Sequence, residues 1–295
     1  MRLSRNNKHM NQSDNGFTLL ELSIAITIIG LLVGGVLVGQ DLIKAAQVRS
    51  TVSQVQSYES AAMVFKNKYG CLPGDCSSSS QFGFTSDCSA LGAICGNGTI
   101  GGRTNPALDT DEYRVRESFD FWLQLSESQL IEGRYAGATA AIAANNAAPG
   151  YAYPTTKISG QVGLLASALG NNTGGQNYIR TSTGTTIASS AFATNLFLPI
   201  INYMLDSKFD DGFPDSGKIQ LVSVYEGWSM PNREIETLAK NDGLYHSYGP
   251  AGATSPYCAT DDDPSLYNVA NVTPSFSYPG RPVTPNCSIA FQMNF

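Results

Sequence analysis

GFTLLELSIAITIIGLLVGGVLVG, residues 16–39, decides how the rest of the chain is read. From Phe17 to Gly39 the run is apolar apart from three hydroxyls and one charge, Glu21. As a helix rising about 1.5 Å per residue it spans about 35 Å, enough to cross a hydrocarbon core of about 30 Å. The preceding residues, 1–16, are polar and carry Arg2, Arg5 and Lys8 against Asp14. Positive charge ahead of a span predicts that this leader stays cytoplasmic and that the remainder of the chain is translocated. An ordinary secretory signal peptide is the competing reading. The apolar run is longer than its core segment, and no A-x-A-like site sits at its end.

Glu21 lies five residues into that run. A carboxylate in lipid is expensive and is retained where it meets a partner. If the chain were cut between Gly16 and Phe17, the new α-amine would lie one helical turn from Glu21, in the same subunit or a neighbour. That pairing offsets much of the cost of burial.

Working outward, the helical signal continues past Gly39 but becomes amphipathic. Val48, Val52, Val55, Tyr58, Ala62, Phe65 and Tyr69 recur every three or four residues, one face of a helix. Gly70 and Pro73-Gly74 supply the stop. One helix over 17–69, about 80 Å long, is expected. Its first part, 17–39, is a membrane and assembly segment, and its second, 40–69, packs under a head formed by 70–295. Gly30 with Gly34, and Gly35 with Gly39, make two G-x-x-x-G spacings, which permit close helix contact or are ordinary membrane-helix glycines.

Here the residues resemble a known family. The charged leader, Gly16, Phe17 and Glu21 in register with the apolar helix look like the N-terminal signature of type IV prepilins and type II secretion pseudopilins. The resemblance implies a membrane peptidase cutting after Gly16, methylation of the new amine of Phe17, and a role for Glu21 in assembly. YG-x-LPGD, at 69–75, is also similar to the segment after the long helix in many pseudopilin-like proteins. The fold expected is α+β and pilin-like: a long N-terminal helix on a loop-rich head of antiparallel strands and short helices.

Within the head, residues 110–131 read as a helix, with Thr110 as cap, Asp111 and Glu112 in the first turn, and Val115, Phe119, Trp122, Leu123 and Leu130 on a buried face. The Ala/Gly/Asn-rich stretch 136–150 reads as a surface loop or a fragment of helix. A short helix over 199–205, a strand over 218–225 and a terminal strand in SIAFQMNF are expected, with short strands and loops over 151–190.

Six cysteines, Cys71, Cys76, Cys88, Cys95, Cys258 and Cys287, come after an export segment, which reads as disulfides formed outside the cytoplasm. The simplest pairing puts two bridges within 71–95 and one between Cys258 and Cys287. Zinc at the first four is the rival. The absence of C-x-x-C and the remoteness of His9 and His246 weigh against it.

DSKFDDGFPDSG, at 206–217, brings Asp206, Asp210, Asp211 and Asp215 around a glycine turn. These oxygens suit calcium, yet the spacing is not that of an EF-hand. The element also resembles a helix-end turn in many uncharacterised prepilin-like proteins. The acidic run Asp261, Asp262 and Asp263 reads as a solvated loop. Apart from the calcium reading, no cofactor is implied.

The formal net charge of -6 argues against a nucleic-acid partner, since phosphate would repel the chain. There is no G-x-S-x-G, H-E-x-x-H, P-loop or dinucleotide glycine motif, so an enzyme is not expected. The favoured function is a non-enzymatic subunit of a type IV pilus or type II secretion pseudopilus. By family resemblance its partners are the prepilin peptidase, other pilin or pseudopilin subunits, the inner-membrane assembly platform and the lipid bilayer. The expected location is the bacterial inner membrane with a periplasmic head, and then a filament. The alternatives are a membrane-anchored adhesive or ligand-binding protein, around Trp228 or Tyr245, and a hydrolase.

Overall fold

The computed structural model describes residues 18–86, 95–101, 111–144, 146, 148–169, 176–183, 197, 199–213, 216–223, 236–237, 277–278, 281–282 and 287–295. Helix α1 runs Leu19–Tyr69 as one uninterrupted element. It ends where Gly70, at φ 76°, turns into the left-handed region and donates its N–H to the Lys66 carbonyl at 2.8 Å. Only glycine takes that conformation without a steric penalty, so the sequence punctuation and the helix end coincide.

The chain divides into two compact units, Met1–Lys44 and Ala45–Phe295. In the first, the described helix presents its apolar side chains outward on every face, Leu19, Ile24, Leu31 and Val38 among them. In the second, Val48, Val52, Val55, Ala62 and Phe65 of α1 are buried, with Tyr58 and Tyr69 packed against the same core. Those seven are the face read from the three-and-four spacing.

Helix α2, Asp111–Glu127, buries Phe119, Phe121, Trp122 and Leu125. Trp122 meets Tyr58 and Phe121 edge-on, with ring centroids 4.9 Å apart in each case, so it is a core residue. The helix stops four residues short of the expected 131, and the cause is local. Gln129 adopts φ 59°, its N–H bonds the Ser126 carbonyl at 3.1 Å, and the Leu130 N–H bonds the Leu125 carbonyl at 3.1 Å. This paired 5→2 and 6→1 arrangement satisfies the last carbonyls and reverses the chain. Leu130 then packs on the core as the accompanying hydrophobic contact.

A one-turn fragment, α3 (Ala138–Ala143), occupies the alanine-rich stretch. Strands β1 (Gly163–Leu169) and β2 (Gln176–Ser182) pair antiparallel with Leu165 opposite Arg180. Helix α4 (Pro199–Phe209) extends four residues beyond expectation. It leads through the DDG turn to β3 (Ile219–Ser223). The remaining strands are β4 (Glu236–Thr237), β5 (Ser277–Tyr278), β6 (Arg281–Pro282) and β7 (Cys287–Gln292).

The main sheet is open, in the order β1-β2-β7-β3-β4, with β5 and β6 forming a separate ladder. Its pairings are antiparallel, and β4 adds only two residues at one edge. The C-terminal strand β7 is therefore interior: Phe291 pairs with Ile179 on one side and with Ile219 on the other. The alternation of Ile289 and Phe291 gave the strand its sequence signal, and both are buried. Residue Asn294 then fastens the chain end to α1, donating from its backbone and side-chain nitrogens to Glu59 Oε1 at 2.9 and 2.8 Å. The architecture matches the expected α+β form: a long apolar helix, a loop-rich head, short helices and an open antiparallel sheet.

Candidate functional site

Three sets of residues carry the chemistry. The first is the start of α1. Thr18 Oγ1 accepts the Glu21 backbone N–H at 3.2 Å, and Glu21 Oε2 accepts both the Thr18 N–H and its hydroxyl at 2.9 Å. This is a reciprocal capping box, T-x-x-E, which satisfies otherwise orphaned groups at a helix start. It escaped the sequence reading, although a threonine three residues before a glutamate at the head of an apolar run is its signature.

Further along, Ser23 Oγ donates to the Leu20 carbonyl and Thr27 Oγ1 to the Ser23 carbonyl, each at 2.8 Å. The hydroxyls are thereby satisfied within the helix, as a segment without water requires. Built Cβ atoms on Gly30, Gly34, Gly35 and Gly39 would touch nothing within 4 Å, so none of these glycines is needed for a contact within the described chain. Gly16 and Phe17 lie outside the described residues.

The second set joins the loop after α1 to α2. Cys71 and Cys76 form a disulfide, one of the local bridges expected. Cys95 is also disulfide-bonded. Cys88 and Cys258 lie outside the described residues, and of Cys287 only its place at the start of β7 is described.

Inside the small ring, Gly74 at φ 81° lies so close to α2 that an added Cβ would overlap the Glu117 carbonyl oxygen and come within 2.9 Å of the Phe121 nitrogen. Its neighbour Asp75 is buried and gathers three backbone N–H groups. They come from Gly96 at 2.5 Å, Asn97 at 3.2 Å and Gly98 at 2.8 Å. Pro73-Gly74-Asp75 therefore does more than turn the chain.

Opposite it, α2 presents a polar stripe at i, i+3, i+7 and i+10, positions that share one helical side. Glu117 accepts the Gly101 N–H at 2.6 Å. Asp120 accepts the Ser86 hydroxyl and, at 2.8 Å, the Ala138 N–H. Gln124 accepts the Gly74 N–H at 2.7 Å and donates to the Ser86 carbonyl at 3.3 Å. Glu127 accepts from the Thr85 hydroxyl and N–H.

Burial raises the carboxyls of Asp75 and Asp120 above the ordinary range, against the pull of their hydrogen bonds. It pushes Glu117 up to about 8, and the charges of Asp75 and Asp120 add to that rise. None of these acids was singled out from sequence as a site residue. The hint available was a polar stripe on a helix that also has a wide apolar face.

The third set is the aspartate turn. Asp206, Asp210 and Asp211 offer oxygens within 4.8 Å of one another, while Asp215 lies outside the described residues. Each of the three already accepts a local donor. Asp206 takes the Gly212 N–H at 3.1 Å, Asp210 the Ile219 N–H at 2.7 Å, and Asp211 the Phe213 N–H at 2.9 Å and the Ser216 hydroxyl at 2.7 Å. Gly217, at φ 74°, leaves the space that Asp210 fills, since a Cβ there would overlap its carboxylate. The pattern D-x-x-x-D-D-G is thus accounted for as the joint between α4 and β3.

Against known proteins, the model of the prokaryotic N-terminal methylation motif matches residues 11–37. No curated relative and no solved structure matches the chain. The matched segment contains Gly16, Phe17 and Glu21 and about the first five turns of α1, the stretch that resembles the prepilin and pseudopilin signature. Among the described residues, α1 is the one helix long and apolar enough to cross a membrane.

Proposed function

We propose that the chain is a non-enzymatic prepilin-like subunit, cut after Gly16, methylated on Phe17 and assembled through α1 into a type IV pilus or a type II secretion pseudopilus. The observation that carries this reading is a coincidence in one segment. The methylation motif covers 11–37, and there α1 is apolar on every face, with its side chains exposed. A surface of that kind requires lipid or other helices. In the membrane it anchors the protein with its head on the periplasmic side of the inner membrane. In a filament the same residues pack against neighbouring subunits. The prepilin peptidase and the assembly platform are the partners this route requires. A head running from 70 to 295 is larger than a minimal major pilin needs, which favours a minor subunit.

Glu21 acts in assembly. Its carboxylate is held by Thr18 in the single chain, and the amine freed at Phe17 provides a charged partner one turn away, in the same subunit or the next.

The test is the intact mass and N-terminal residue of protein recovered from membranes. A chain beginning at Phe17 with one added methyl is expected. A chain beginning near residue 40 would mean ordinary signal-peptide removal and would overturn the reading. Glu21→Ala should leave cleavage largely intact while sharply reducing incorporation into filaments, measured by the variant's share of sheared filament material. Normal incorporation would remove Glu21 from assembly.

A further inference from the structure

The contact between α2 and the disulfide-bearing loop contains a cluster of buried acids that the assembly reading does not use. Glu117 is at its centre. Its side chain holds Gly101, and its main-chain carbonyl abuts Gly74. From the loop, Asp75 faces it while clamping 96–98. From α2, Asp120 faces it one turn on, and Arg116 acts on Asp120, as does the more distant Glu127. The described stretch 95–101 carries no charged side chain. Three carboxyls thus converge where the loop meets the helix, and each accepts at least one backbone amide.

We propose that Glu117 is a pH-operated latch: in its neutral form it docks the 96–101 segment and the 72–75 turn on α2, and on ionisation it releases them.

Physically, a second and third buried charge in one place repel each other and lose hydration. Undocking lets water reach all three. The proton leaves to solvent on ionisation, and nothing else is exchanged. The carboxyl of Glu117 titrates near 8 when docked and in the ordinary glutamate range when released. Docking is therefore strongest below the released value, weakens as pH rises, and reaches its floor once pH passes the docked value. The same direction holds for the raised carboxyls of Asp75 and Asp120.

The experiment is hydrogen exchange of the full chain in detergent micelles from pH 5 to 9, corrected for the intrinsic exchange rate. Protection of amides 96–101 is expected to fall with pH, by up to about tenfold per unit from Glu117 alone, and to level off above about pH 8. Glu117→Gln, which mimics the neutral acid, should remove most of that slope while amides in β1 and β2 keep theirs. An unchanged slope in the variant, or a flat wild-type profile, would overturn the latch. Should Glu117→Gln fail to fold, the carboxyl-carbon titration of Glu117 in the wild-type chain decides: a midpoint near 8 supports the latch and one near 4.5 sinks it.

Discussion

The two halves of α1 belong to one uninterrupted helix and live by opposite rules. From Leu19 to Lys44 the helix carries leucine, isoleucine and valine on all sides, and they are exposed. From Ala45 to Tyr69 it carries one apolar stripe, and that stripe is buried. Hydropathy already separates them, since 19–39 carries a single charge, Glu21, while Arg49, Glu59, Lys66 and Lys68 punctuate the second half. The angular distribution gives the consequence: a stripe can be covered by one head, whereas an all-round apolar surface needs a surrounding medium. The first half is thus built for partners outside the chain and the second for partners within it.

Matched substitutions would break or sharpen that contrast. The largest effect is expected from Phe65→Ala, because Phe65 is fully buried and packs among Tyr69 and Phe84 at 4.5 and 5.3 Å. The loss should be about 3–5 kcal/mol of head stability, read by thermal or denaturant unfolding. Leu31→Ala, at a side chain 80% exposed, should leave the head's unfolding unchanged and lower only membrane or filament partitioning. Equal losses at the two positions would abolish the distinction.

A smaller contrast is expected between glycines. Gly74→Ala meets both a left-handed backbone and the α2 main chain, a loss of about 2–4 kcal/mol by the same measurement. Gly34→Ala, in open space within a helix, should not lower head stability at all. The smallest effect expected is that of a chelator. The aspartates of the α4–β3 turn already accept turn donors, so the head's melting temperature should not move when EDTA is added. A fall of several degrees would establish calcium as a structural ligand.

Much of this was legible because it is written in residue type and spacing. The three-and-four repeat from Val48 to Tyr69 predicted the buried face of α1, and Gly70 its end. Ile289 and Phe291 predicted β7 from alternation. A local disulfide within 71–95 was expected from cysteines placed beyond an export segment, but that it joins Cys71 to Cys76 was not. The turn after α4 was readable as a turn from its glycines, though not the job of each carboxylate. The length of α2 was overestimated because its stop depends on Gln129 taking a conformation usually left to glycine.

The candidate sites divide in the same way. The apolar span, its single glutamate and the residues flanking the expected cut were determined by the sequence itself, since length, charge and hydrophobicity act locally and need no knowledge of what lies opposite. The cluster of Asp75, Glu117 and Asp120 was decided only by tertiary structure. All three acids lean on backbone N–H groups brought from 16 to 23 positions away, and an N–H belongs to nearly every residue, so it leaves no mark in the sequence. Burial then sets which of these acids keeps its proton, because the penalty for charge depends on the water that the assembled head excludes.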